Sequence, residues 1–243
     1  MKARDVLLTV ALLLLVWEII ARLLQVSVLP PASEVLLVFF QELPGDLGRH
    51  LLSSTGRTLV SIALAVTLAT PLGLALGQSK KLSGLLSPLI YILYPIPKLV
   101  FLPIVLLFLG VGNVSKIFLI ALILWFQVLV VVRDEASAIR PELVHSVRSL
   151  GGGRRALFRF VYLPACLPAV LTAIRVSIGT AIAVLFFAES FATTSGLGYY
   201  IIVDTWGRLD YAAMYAGVVA MSLLGVVLFF TVDRLERRLC PWK

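Results

Sequence analysis

Two stretches of this chain, Leu59–Gly77 and Tyr211–Val232, contain no charged residue. Each is close to the roughly 20 apolar residues that cross a bilayer as a helix. The first belongs to a longer apolar segment that begins near Leu51. Four more such segments are present: Val6–Leu24, Leu82–Val111 with only Lys98 inside it, Val114–Val132, and Ala165–Ala188 with Arg175 inside it. An all-α, polytopic membrane protein with six transmembrane helices is expected. Barrel strands are disfavoured because they show about ten residues of alternating polarity. These runs are continuous, and a helix satisfies its backbone groups within one segment. The chain is 60% hydrophobic and 14% charged, against roughly 45–50% and about 25% in soluble domains, so one compact core cannot absorb its apolar residues. One domain over residues 1–243 is expected, with core spans at about 51–232 and a cytoplasmic loop at about 133–164.

The net charge of +8 does not point to nucleic acid, because the basic residues cluster in short segments between apolar runs. That pattern sets orientation, since Lys and Arg accumulate on the cytoplasmic side. Lys2, Arg4, Lys80, Lys81, Arg133, Arg140, Arg148, Arg154, Arg155, Arg159 and the tail from Arg234 to Lys243 fall on one side. Arg49, Lys116 and Arg208 fall on the other. Both termini are therefore expected in the cytoplasm. Lys2 and Arg4 precede the first run as in a signal peptide, but Glu18 and Arg22 follow with no usual cleavage site, so it reads as a retained span. Cys166 and Cys240 match neither a disulfide framework nor a metal site.

Several local features carry mechanism. Ser33 is expected to cap a short outer helix, Glu34–Leu43. Tyr199, Tyr200 and Trp206 are aromatic types favoured at the membrane boundary. Gly73 and Gly77, four apart, permit close helix approach, with internal packing the favoured reading over dimerisation. The segment Leu82–Val111 exceeds one straight span, and Pro88, Pro95, Pro97 and Pro103 interrupt it. Proline removes a donor and clashes with the preceding turn, and a broken helix at membrane depth is tolerated where it faces protein or a cavity. The break Tyr94–Phe101, with Tyr94, Pro95, Pro97, Lys98 and Phe101, is thus a candidate lining of a pathway, with a plain packing kink as the alternative. Lys98 either attracts an anionic solute, snorkels or pairs with a carboxylate. Arg175 is expected to bond helix ends or carbonyls. Glu189, at the outer end of the fifth span, is a pathway candidate and a candidate partner of Arg57.

The loop 133–164 is long and rich in arginine. Its Val144–Leu150 stretch is expected to form a short helix ended by Gly151-Gly152-Gly153, because glycine accepts left-handed backbone angles. Arg154–Val161 then extends the fifth span inward. A short helix held out in the cytoplasm is suited to docking a partner; the alternative is a solvated basic loop that only sets topology.

Gly151, nine residues, then Val161-Tyr162-Leu163-Pro164 resembles the cytoplasmic signature of ABC import permeases. His145-Ser146-Val147 stand where that signature has Glu-Ala-Ala, so no charged contact at its first position carries over. Leu29-Pro30-Pro31-Ala32-Ser33, Ile96-Pro97-Lys98 with Pro103, Gly110-Val111-Gly112, Ala188-Glu189 and Ser195-Gly196-Leu197-Gly198-Tyr199 resemble, in order, further elements of the nitrate/sulfonate/taurine branch of that family. The resemblance implies a type I importer permease, a homodimer bound to two copies of an ABC ATPase and served by an extracytoplasmic solute-binding protein in a bacterial inner membrane. It places Val144, His145, Val147, Arg148, Leu150, Gly151, Leu163 and Pro164 at the contact with the ATPase. ATP and Mg would sit on that partner, with no cofactor or metal in this chain, which has no Gly-x-x-x-x-Gly-Lys-Ser/Thr cradle. The solutes implied are nitrate, sulfonates, taurine, bicarbonate or a vitamin precursor. A secondary transporter or channel is the alternative. A membrane enzyme is disfavoured because His50 and His145 are predicted on opposite sides and the carboxylates form no compact motif.

Overall fold

In a computed structural model, which describes residues 3–191 and 193–242, every regular element is helical. Lys2 and Lys243, counted above on the inner side, lie outside the described residues. The order is α1 (Ala3–Leu24), α2 (Ala32–Glu42), α3 (Asp46–Gln78), α4 (Lys80–Leu93), a 3₁₀ turn Lys98–Phe101, α5 (Leu102–Leu109), α6 (Asn113–Ser137), α7 (Pro141–Ser149), α8 (Arg154–Leu157), α9 (Leu163–Ser190), α10 (Leu197–Tyr199) and α11 (Tyr211–Leu239). Wider π-type turns occupy Phe158–Tyr162 and Tyr200–Thr205.

Among the described residues, four helices are long and apolar enough to cross a membrane: α3, α6, the continuous run Arg154–Ser190 and α11. The pair Lys80–Leu93 and Lys98–Leu109, bent by 78°, makes a fifth if counted as one broken span. The remaining element of the expected six, α1, has 22 residues, enough for about 33 Å, and includes Arg4, Asp5, Glu18 and Arg22.

The residues group into two compact units. One comprises the chain up to Thr55 with Glu189–Leu224; the other comprises Gly56–Ala188 with the chain from Gly225 onward.

In the first unit, Glu18 explains its own place in an apolar helix. Its carboxylate accepts the Ser33 backbone N–H and hydroxyl, both at 2.9 Å, and the Arg22 Nε–H at 2.7 Å. The expected Ser33 cap is thereby corrected. The helix starts two residues earlier, at Ala32, with Pro31 at the cap position. Proline has its φ fixed and no N–H to lose there, and Glu18, a neighbouring helix's carboxylate, supplies the acceptor. Trp17 packs on Tyr215 at 5.6 Å between ring centres.

In the second unit, Ala69, Leu74, Leu76, Val128, Leu129, Val132, Ala136, Cys166 and Val170 form the core. Gly73 and Gly77 bring α3 against α6. A Cβ on Gly73 would stand 2.9 Å from Val132 Cβ, and one on Gly77 would stand 2.5 Å from Ala136 Cβ and 2.7 Å from the Arg133 carbonyl. The glycine pair is thus used in packing within the chain. Gln78 closes this contact by donating to the Ala136 carbonyl.

Arg175 bonds neither helix ends nor carbonyls as expected. It forms 3.0 Å ion pairs with Asp233 and Glu236 of α11, and Asp233 also receives Arg237 at 3.0 Å. Two carboxylates about one turn apart on α11 neutralise the cation inside the span, which an apolar setting demands.

Candidate functional site

Three groups of predicted residues are placed by the fold. The first is α7. It begins at Pro141 rather than Val144, because proline is favoured in a first helical turn, where its missing N–H costs nothing, and it ends at Ser149. Gly151 N–H donates to the Arg148 carbonyl and Gly152 N–H to the Val147 carbonyl, both at 2.9 Å. This pair of bonds, with Gly151 at φ 79°, is the Schellman stop, in which the residue after the cap turns left-handed. Gly152 is required for a second reason: its Cβ would lie 2.6 Å from the Val147 carbonyl oxygen.

The side chains of α7 sort into two sets. Val144 and Val147 are half-buried, whereas His145, Arg148 and Leu150 are exposed, Leu150 at 88%. A leucine at the tip of a capped helix that shows most of its surface is an apolar knob left uncovered by the described residues. Beyond it, Leu163 N–H bonds back five residues to the Phe158 carbonyl. This widened turn stands directly ahead of Pro164, which has no N–H to close on Phe160, and such turns are the usual accommodation of a break in the ladder.

The second group is the bend. Tyr94, Pro95, Pro97 and Phe101 are exposed and Lys98 is half-buried. Lys98 Nζ donates to the carbonyls of Leu93 at 2.9 Å, Tyr94 at 2.7 Å and Ile96 at 3.2 Å. It also lies 4.3 Å from the centre of the Phe126 ring.

The third group surrounds Glu189, whose side chain is fully buried. Glu189 accepts the Ser54 hydroxyl at 2.7 Å and the Gly198 N–H at 3.1 Å. Ser54 Oγ in turn accepts the Leu197 N–H at 2.8 Å, and His50 Nδ1 accepts the Gly196 N–H at 2.9 Å. His50 Nε2 lies 3.4 Å from Asp204. Gly196, at φ 115°, presses so close that a Cβ would fall 2.2–2.5 Å from the Glu189 carboxyl group. Ser195–Tyr199 is thus a turn fastened by its backbone N–H groups to three side chains, which explains why glycine stands at 196.

Tyr199 stacks on His50 and Tyr200 is buried, so of the three aromatic residues expected at the membrane boundary only Trp206 is exposed. Burial, and after it the carboxylates of Glu42, Asp210, Asp46 and Asp204, pushes the Tyr200 hydroxyl well above the usual tyrosine range, which keeps it a neutral O–H. Ser54 and His50 were missed in the sequence, because their partners lie 143 and 146 residues away. Arg57, itself buried, donates its Nε–H to Asn113 at 2.8 Å. No group of three metal-ligating side chains is found among the described residues.

The sequence profile of the binding-protein-dependent transport system inner membrane components matches residues 65–240. The taurine transport system permease protein TauC of Escherichia coli K12 is 32% identical across 96% of this chain and 88% of its own. The putative aliphatic sulfonates transport permease protein SsuC of Bacillus subtilis is 32% identical across 96% and 85%. The formylaminopyrimidine transport permease protein ThiX of Halalkalibacterium halodurans is 26% identical across 96% and 93%. Among solved structures, the MetNI methionine ABC transporter in an inward-facing conformation has a chain that superposes with a TM-score of 0.66, at 21% identity over 79% of this chain and 95% of that one. That likeness is one of fold.

Proposed function

The chain belongs to the family of binding-protein-dependent transport system inner membrane components, and from that premise we propose that it couples a pathway for a small solute to ATP hydrolysis on a separate subunit. The single observation that carries the coupling is Leu150, 88% exposed at the end of a helix stopped by Gly151 and Gly152. Val144 and Val147 anchor α7 on the chain, while His145, Arg148, Leu150 and Gly151 meet a groove of the ATPase. Leu163 and Pro164, at the widened turn, pass the motion into α9. Closure of two ATPases on ATP draws the α7 helices of a permease homodimer together, and the spans change from inward-open to outward-open, a two-state element biased by nucleotide and by the loaded binding protein.

ATP and Mg belong to the ATPase; this chain holds no cofactor. The bend at Tyr94, Pro95, Pro97, Lys98 and Phe101 is one pathway element, and Glu189 is a separate pathway candidate. The assembly lies in a bacterial inner membrane with both termini in the cytoplasm. The solute class is that of the relatives: a sulfonate such as taurine, another small anion such as nitrate or bicarbonate, or a vitamin precursor. The test is co-purification with the ATPase encoded beside this chain, and ATP hydrolysis by the complex. The Leu150→Asp, Gly151→Asp variant should lose binding or binding-protein-stimulated hydrolysis. Retention of both by that variant would place the coupling contact elsewhere.

A further inference from the structure

Lys98 sits where a helix loses donors. In an unbroken helix the N–H of residue 97 would bond the Leu93 carbonyl and that of residue 98 the Tyr94 carbonyl. Pro97 has no N–H, and the backbone of Lys98 instead begins a 3₁₀ turn. Leu93 retains only a long 3.4 Å bond from the Ile96 N–H. The ammonium of Lys98 reaches back to these same oxygens, at 2.9 and 2.7 Å, and takes Ile96 as its third acceptor at 3.2 Å.

A lysine ammonium has three N–H donors and no acceptor, so the three carbonyls occupy all of them. A cation at a helix C-terminus is also favoured by the carbonyl dipoles there. Its other face covers Phe126 of α6 at 4.3 Å and Tyr94 at 5.6 Å, within cation–π range. No donor is left over for a solute.

We infer that Lys98 is a positioning residue: its side chain replaces the donors that the prolines remove, sets the 78° bend between α4 and α5 and pins that bend to α6 through Phe126, rather than attracting the solute. The link to transport rests on the proposed function above; the bend itself does not.

The experiment therefore has two readouts. Spin labels at Leu85 and Leu107, 74% and 81% exposed on either side of the bend, report their distance distribution in the full chain in nanodiscs, with Cys166 and Cys240 replaced by serine. Lys98→Met should widen or shift that distribution. Adding Pro97→Ala, which returns an N–H to the Leu93 carbonyl, should narrow it again. In the complex with its ATPase, the ratio of hydrolysis with and without loaded binding protein should fall at least threefold in Lys98→Met, and Lys98→Arg should restore at least half of the loss. Where Lys98→Met fails to assemble, Lys98→Gln and Phe126→Leu are expected to widen the distribution in its place. A distribution that superposes on the parent's overturns the assignment, and so does a widened one with the hydrolysis ratio intact. A parent complex without ATPase activity would count against the proposed function instead, leaving the distance readout to decide the role of Lys98.

Discussion

Replacing Gly196 with alanine probes the fastened turn at its tightest point. Two effects add. At φ 115° and ψ 162° the residue occupies backbone space that is nearly reserved to glycine, and holding an L-residue there costs about 1–3 kcal/mol. The new Cβ also falls 2.2–2.5 Å from three atoms of the Glu189 carboxyl group. That group cannot yield freely, because it holds Ser54 and the Gly198 N–H, and overpacking of this kind costs about 1–3 kcal/mol. The expected loss is about 2–6 kcal/mol. Gly110→Ala separates the two effects: its backbone is similar, φ 75° and ψ 177°, but nothing lies within 4 Å of the added atom. It should lose only the backbone share. Unfolding of the purified permease by SDS titration in mixed micelles, followed by circular dichroism, measures both. Equal losses, or a milder Gly196→Ala, would refute the argument. So would failure of a Glu189→Ala background, which opens the space, to reduce the cost of Gly196→Ala.

Gly77→Ala should destabilise by about 1–3 kcal/mol through its clash with the Arg133 carbonyl and Ala136, while Gly84→Ala, with open space around it, should not destabilise in the same titration. Ser54→Ala removes the hydroxyl between the Leu197 N–H and Glu189 and leaves both buried, for a loss of about 1–3 kcal/mol. Ser54→Cys, a weaker donor and acceptor of similar size, should lie between.

The helical class and the main spans were legible because apolar runs of this length leave the backbone no other way to satisfy itself. The Pro95 and Pro97 break and the Gly151 stop were legible for a local reason: proline and glycine act on the next few backbone angles. What stayed hidden was long-range or depended on chain reversal. Glu189 was recognised at the end of a span, yet its partner Ser54 is 135 residues away. Lys98 looked like a charge awaiting a solute or a carboxylate. Only the folded bend brings its ammonium back onto carbonyls two to five residues earlier. Arg175 needed the α9–α11 pairing to reveal Asp233 and Glu236 as its partners.

The central claim, a permease driven by a separate ATPase, is tested most directly by solute uptake into proteoliposomes. Vesicles carrying this chain with its ATPase, supplied outside with the loaded binding protein and inside with ATP and magnesium, should accumulate solute. Vesicles with this chain alone, under an imposed proton or sodium gradient, should not. Accumulation on the gradient without the ATPase would contradict the account and make the chain a secondary transporter.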